Sequence, residues 1–230
     1  MSLLLDNFNV LLLDMNGTFM FGHDRFGAAE DYFHTYRELG GRRLNRATLQ
    51  TTMNASYDAL HAMYDDPARF DDFPSLAEAF REHGRARDED ISILERLFAA
   101  HEIGHVPPEH DACLRRLATT HHLGVVSNIC AHPDIWLAGF GPASVFHLFR
   151  SLTFSSEGRS IKPSRVLFER ALADVPSDAR VLFIGDSLER DVIPAKALGL
   201  STVWLAAEGA NHQAADYVVP SLPSLASVAE

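Results

Sequence analysis

Asp14, Ser127, Lys162 and Asp186 are the residues of this chain that could do chemistry together, because each lies just past an apolar run. Asp14 follows the all-apolar run Val10–Leu13 directly, Ser127 follows 124–126, and Asp186 follows 181–184 and one glycine. Lys162 follows a weaker run, 148–154, within Arg159-Ser160-Ile161-Lys162-Pro163-Ser164. Taken singly, an aspartate or serine in such a place is an ordinary helix cap or turn former. Together they supply two acids, a hydroxyl and an ammonium, which suits a phosphate beside a divalent cation. Carboxylate oxygens hold a hard cation, while the ammonium, the hydroxyl and loop N–H groups take phosphate oxygens. Lysine usage sharpens the reading. The chain has two lysines, Lys162 and Lys196, against eighteen arginines. A lysine kept where arginine is so strongly preferred is expected to act as a compact point charge that a planar guanidinium cannot imitate. Lys196 is read as a remainder of the composition.

These groups can meet only if the runs that carry them are neighbours. A short apolar run closed by a turn reads as a fully buried parallel strand, and open parallel sheets bind ligands beyond the carboxyl ends of their strands. Ser201–Leu205 and Tyr217–Val219 read as further strands. Helical periodicity over 108–121, 134–140, 164–174 and 188–198 alternates with them, with Pro108 and Ser164 at favoured starting positions. Strands alternating with helices predict an α/β domain around a parallel sheet. Between the first two strands the pattern changes. From about residue 24 to 106 only helical periodicity is found, over 28–39, Arg46–Tyr64, 75–83 and 89–101, punctuated by Gly40-Gly41, Asp65-Asp66-Pro67 and Gly84. That is too long for a loop. The expected organisation is a core of residues 1–22 and 107–230 carrying an all-helical insert of residues 23–106. Phe70, Phe73 and Phe80, with Tyr32, Phe33 and Tyr36, are read as the insert's core or interface rather than a substrate box.

Composition narrows the functional classes. With 47% hydrophobic and 22% charged residues the chain reads as an ordinary globular protein. Its net charge of −11, with no basic run, argues against nucleic acid or an anionic membrane as partner. No stretch approaches the ~20 apolar residues of a membrane span. The leucine-rich start, broken by Asp6, Asn7 and Asn9, is not expected to act as a signal peptide. Cys113 and Cys130 are too few for a disulfide framework and read as reduced, inert thiols. A cytoplasmic monomer or homodimer acting on a small molecule is the expectation.

The ordered motifs resemble the haloacid dehalogenase superfamily of hydrolases. The first is Asp14-Met15-Asn16-Gly17-Thr18, the second Val126-Ser127-Asn128, the third Lys162-Pro163, and the fourth Gly185-Asp186-Ser187-Leu188-Glu189-Arg190-Asp191. Their spacing spans nearly the whole chain. The resemblance implies a Rossmann-like, doubly wound parallel core with a helical cap inserted after the first motif. It also implies roles. Asp14 would attack phosphorus and form an aspartyl-phosphate. Mg²⁺ would sit on Asp14, Asp186 and the main-chain carbonyl of Asn16, with Asp191 acting on the metal's waters or on Lys162. Thr18, Ser127, Asn128 and Lys162 would hold phosphate oxygens or orient Asp14. The cap would close over a small phosphorylated metabolite and exclude water.

One position departs from the pattern. The family's phosphatases carry an aspartate two residues after the nucleophile, which protonates the leaving alkoxide and later activates water. Asn16 can hydrogen-bond but does neither, and losing such a group typically costs ~10²- to 10⁴-fold in rate. Several readings stay open: a phosphatase slow on alkyl esters, a proton supplied instead by His23 or Asp24 (otherwise a solvated hinge), and a silent phospho-ligand-binding or regulatory protein. Deamidation of Asn16-Gly17 would restore an acid, and Asn16 could also be a designed substitution. A 2-haloacid dehalogenase is a further alternative, although the pair Asp186/Asp191 does not resemble those metal-free enzymes. Imine-forming phosphonate cleavage is set aside because residues 22–106 contain no lysine. His101-Glu102-Ile103-Gly104-His105, with His110 beyond, matches a zinc-protease pattern, but Gly104 and Pro107-Pro108 end the helix that pattern requires.

Overall fold

A computed structural model describes residues 4–140 and 144–227. The ends of the expected core, residues 1–3 and 228–230, and residues 141–143 lie outside the described residues. Six parallel strands form one sheet in the order β3-β2-β1-β4-β5-β6. They are β1 (Val10–Leu13), β2 (His122–Ser127), β3 (Phe149–Phe154), β4 (Val181–Gly185), β5 (Ser201–Leu205) and β6 (Tyr217–Val219). The helices are α1 (Tyr32–Glu38), α2 (Arg46–Tyr64), α3 (Leu76–Glu82), α4 (Asp88–Glu102), α5 (Pro108–Leu117), α6 (Pro133–Ala138), α7 (Arg165–Leu172), α8 (Ile193–Ala197) and α9 (Leu222–Ser227). This is the expected α/β architecture, a Rossmann-like parallel sheet with surrounding helices.

The apolar runs behave as a sheet buried on both faces requires. All four residues of β1 are buried. Leu11 and Leu13 join the large core shared with the inserted helices, while Val10 and Leu12 face a second cluster with Leu167, Phe168 and Ala195. Such side-to-side alternation is the period of an extended chain. Gly124 in β2 marks close packing: a Cβ there would lie 2.5 Å from Ser151 Oγ and 2.7 Å from Leu12 Cδ2. The edge strand β3 carries exposed and half-buried positions, which is why 148–154 gave the weaker signal.

Between β1 and β2 the chain forms α1 to α4, which pack on one another. Local chemistry sets their ends. Asn45 caps α2 through the Thr48 N–H, and Ser75 with Glu78 makes a reciprocal capping box on α3. Asp88, Glu89 and Asp90 crowd the first turn of α4, where carboxylates complement the helix dipole. The two crossings between sheet and helices run side by side. Phe21 and His105 exchange both backbone hydrogen bonds (2.9 and 2.8 Å), and the Arg25 N–H donates to the His101 carbonyl. The Arg25 guanidinium also binds the carbonyls of Ala100 and Ile103 at 2.6 and 2.7 Å.

Several boundaries differ from expectation. The helix read over 108–121 ends at Leu117, because the chain must turn there to enter β2. That over 28–39 begins only at Tyr32, capped by Asp31. The continuous helix read over 188–198 is a π-helical turn, Leu188–Val192, followed by α8. The Asp191 and Val192 N–H groups both donate to the Ser187 carbonyl, at 3.0 and 3.2 Å. The zinc-protease pattern does not assemble, since α4 stops at Glu102. The His101 ring is bonded to the Arg25 carbonyl and Thr35 Oγ1, while His105 pairs with Phe21. Tyr32, Tyr36 and Phe80 are core residues, as expected, but Phe73 also lines the cavity described next.

Candidate active site

The carboxyl ends of β1, β2 and β4 open into a cavity of about 340 Å³ roofed by residues of α2 and α4. Every site residue read from the sequence except Thr18 lines it. Thr18 lies behind, its Oγ1 donating to Asp14 Oδ2 at 3.4 Å. At the floor Asp14, Lys162 and Asp191 form one buried ionic group. The Lys162 ammonium donates to Asp14 Oδ1 and, at 2.6 Å, to Asp191 Oδ1. Asp191 Oδ2 accepts the Ser187 N–H at 3.1 Å. Its placement follows from the π-helical turn, which turns residue 191 back toward the lysine. Asp186 completes the floor: oxygens of Asp14, Asp186 and Asp191 all lie within 4.8 Å of one another. Gly17 permits this approach, with φ +82 and an imagined Cβ 2.2 Å from Asp186 Oδ2.

Three carboxylates share one ammonium, and the electrostatics show the excess. Burial and the neighbouring Asp14 carboxylate raise the Asp186 pKa to about 6. Burial also raises Asp191, to about 7, against the pull of Lys162. For Lys162 burial opposes the charge, but Asp14 and Asp191 outweigh it and hold the ammonium above lysine's ordinary range. Converging hard oxygen donors in surplus over positive charge fit a divalent cation of the Mg²⁺ kind. Asn16 adds a further oxygen at this edge: its side-chain Oδ1 is buried without a partner among the described residues.

Asn128 holds a different place from that expected. It lines the cavity, but its amide is engaged with the Lys162 backbone, accepting the Lys162 N–H at 2.8 Å and donating to the Lys162 carbonyl at 3.2 Å. Its Nδ2 also donates to Tyr64 Oη at 3.0 Å. Asn128 therefore fixes the lysine loop against α2. Arg190 does the same from the other side, and sequence reasoning passed over it although it stands in the fourth motif. Its guanidinium donates to the carbonyls of Lys162 (2.6 Å) and Tyr64 (2.8 Å) and to Asp65 (2.7 Å), and it stacks 3.7 Å from the Tyr64 ring centre.

Known proteins can now be set beside this geometry. The HAD-hydrolase-like family model matches residues 161–225, the segment holding Lys162, Asp186 and Asp191. No curated protein sequence matches the chain. Among solved structures, the HAD hydrolase YfnB from Bacillus subtilis, bound to magnesium, aligns over 96% of this chain and 98% of its own at 17% identity and TM-score 0.59. A HAD phosphatase from Thermococcus onnurineus covers 96% and 97% at 21% identity, TM-score 0.58. The chain has the haloacid dehalogenase-like fold. A 2-haloacid dehalogenase from Pseudomonas syringae pv. Tomato DC3000 aligns equally widely, over 96% and 97%, at 19% identity and TM-score 0.62. Likeness at this level carries the fold, and both activities occur on it.

One group in this site belongs, in the sequence, to the zinc-protease pattern alone. Glu102, at the end of α4, is buried and accepts the N–H groups of Cys130 (2.5 Å) and Ala131 (3.2 Å), joining the helical insert to the loop after Ser127. Burial and nearby Asp24 raise its pKa to about 8. The Cys130 thiol, buried beside it, is pushed well above the ordinary range and is inert as a nucleophile. An acid whose pKa rises on folding binds its proton more tightly when folded, so stability falls as pH climbs from about 4.5 through about 8. Glu102→Gln removes that proton linkage. Thermal unfolding should show the wild type losing roughly 4 kcal/mol relative to the variant between pH 5 and 9; parallel stability curves would refute it.

Proposed function

We propose that this protein is a Mg²⁺-dependent phosphohydrolase that acts on a small phosphorylated metabolite through a phosphorylated Asp14. The observation that carries this reading is the Lys162 ammonium held between Asp14 and Asp191, with the Asp186 carboxylate close by. Lys162 neutralises the nucleophile's surroundings, so an anionic ester can approach a carboxylate that would otherwise repel it. Ser127 and Lys162 bind the phosphoryl oxygens, and Thr18 steadies Asp14 from behind. Asp14, Asp186 and the Asn16 carbonyl would hold Mg²⁺, which supplies charge that offsets repulsion between nucleophile and ester. Asp191 has both oxygens engaged by Lys162 and Ser187, so its work is to orient the lysine. Residues of the helical insert, acting as a cap over the cavity, select the organic half of the substrate.

One observation favours a second reading. Asn16 cannot serve as acid or base, so a protein that binds phosphorylated ligands with negligible turnover keeps every other feature of the site. Hydrolysis of p-nitrophenyl phosphate separates the two, because nitrophenolate departs without a proton. Mg²⁺-dependent release of nitrophenolate, abolished by EDTA and restored by Mg²⁺, is the expected result. Binding of phosphate or vanadate with no turnover would favour the silent binder. Steady chloride release from 2-chloropropionate without metal would overturn both in favour of dehalogenation.

A further inference from the structure

A phosphate monoester of an ordinary alcohol leaves as a poor alkoxide unless its oxygen receives a proton as the P–O bond breaks. Among the residues lining the cavity, most candidate donors are already engaged. Lys162 is spent on two carboxylates, and Asp191 on Lys162 and Ser187. Each oxygen of Glu102 takes a backbone N–H. The Tyr64 hydroxyl accepts from Asn128 Nδ2, and burial raises its pKa above the ordinary tyrosine range, which makes it a poor acid. His61 is an exposed residue on α2, stacked on Tyr57. His23 is different. Its Nδ1 is buried and meets no hydrogen-bond partner among the described residues, while its Nε2 stands 3.7 Å from Asp24 Oδ2. The backbone is shaped to put it there: Gly22 and Asp24, on either side, both have left-handed φ, +65 and +55. A left-handed aspartate is a costly conformation. It is held by the Asp24 N–H donating to the Glu102 carbonyl and the Asp24 carbonyl accepting the Phe26 N–H.

We propose that His23, oriented by Asp24, carries the leaving-group proton that Asn16 cannot. This rests on the phosphohydrolase reading above. An oxygen of Asp14 attacks phosphorus, the bond to the ester oxygen breaks, and the electron pair on that oxygen takes the proton from Nδ1 of the His23 imidazolium. The alcohol leaves and neutral His23 keeps its Nε2 proton toward Asp24. Water then attacks the phosphorylated Asp14, His23 Nδ1 takes its proton, and the carboxylate of Asp14 is regenerated with release of inorganic phosphate. The groups around the dyad are Arg25 beside it, whose guanidinium donates to the Gly22 carbonyl at 3.1 Å, His61 and Tyr57 from α2, Glu102 from α4 and Cys130 after β2. Arg25, the permanent cation among them, is turned onto the carbonyls of Gly22, Ala100 and Ile103, which leaves the Asp24 carboxylate to stabilise the imidazolium.

The test compares glycerol 2-phosphate with p-nitrophenyl phosphate in the presence of Mg²⁺. His23→Gln should lower the ratio of alkyl to aryl ester turnover about 10²-fold. Asp24→Asn should move the alkaline limb of the alkyl-ester pH profile to lower pH, because a neutral amide no longer favours the imidazolium that donates the proton, and should leave the aryl-ester profile as it is. In the double variant His23→Gln/Asn16→Asp, the alkyl-to-aryl ratio should recover, which also shows that the variant folds. Equal loss on both esters, or an unchanged ratio, overturns the dyad and leaves the phosphohydrolase reading intact. Failure of the wild type to release nitrophenolate overturns that reading, and the dyad's role with it.

Discussion

Replacing Asp14 by Asn should reduce Mg²⁺-dependent turnover of p-nitrophenyl phosphate by at least about 10⁴-fold, the scale on which loss of a nucleophile acts. The change is nearly isosteric, so the fold should persist. Asp14 sits at the end of β1 with its N–H on the Ile184 carbonyl, and neither backbone bond nor burial depends on the charge. What goes is the anionic oxygen beside Lys162. Acid-quenched wild-type protein should carry a phosphoryl group on the peptide containing residue 14, and the variant should carry none. A variant that retained turnover would show that Asp14 only binds the cation, and a different nucleophile would have to be sought.

Lys162→Met should have the second largest effect, and on stability as well as rate. The ammonium is buried between two carboxylates, with side-chain exposures of 4% for Lys162, 6% for Asp14 and 1% for Asp191. Taking away one partner of a buried ionic group leaves uncompensated charge and costs about 3–5 kcal/mol. The loss should depend on pH. Burial already raises Asp191 to about 7 against the pull of Lys162; freed of the lysine it binds its proton still more tightly when folded, so the variant should regain stability as pH falls and lose it as pH rises. Denaturant unfolding at pH 5 and pH 8 reads this directly, the wild-type advantage being larger at pH 8. Mg²⁺ should stabilise the variant more than the wild type, because the cation has more charge to offset. An advantage independent of pH and Mg²⁺ would mean that the lysine contributes packing alone.

How much of this was readable from the chain depended on range. Val10–Leu13 and the run before Asp186 are apolar on both faces, and that property belongs to the residues themselves, so β1 and β4 could be placed and the acids at their ends with them. Arg46–Tyr64 was legible for the same reason: its caps and its periodicity are local. The π-helical turn at Leu188–Val192 was not, because its extra residue is justified by the ion pair of Asp191 with a lysine 29 positions away. Glu102 was visible as a residue but not as a site. Its meaning comes from N–H groups of Cys130 and Ala131, which no spacing rule connects to α4. Asn128 was assigned to the ligand because its motif stands beside Ser127; only the folded chain reveals that its amide is spent on the loop of Lys162. His23 and Asp24 could be singled out by their closeness to Asn16 along the chain, whereas the unpartnered ring nitrogen of His23 is visible only in the folded protein.

The ladder between Phe21 and His105 makes the outgoing and returning chains adjacent, so everything between them is an excursion that begins and ends at one point. The entropic penalty for closing such an excursion grows only slowly with its length. Helices can therefore be lengthened, exchanged or pruned there while the strand register beneath stays as it is. The cavity walls supplied by the helices and the side chains at the strand ends would then drift under separate selection, and a foreign excursion spliced between those two residues is a practical route to a differently lined cavity.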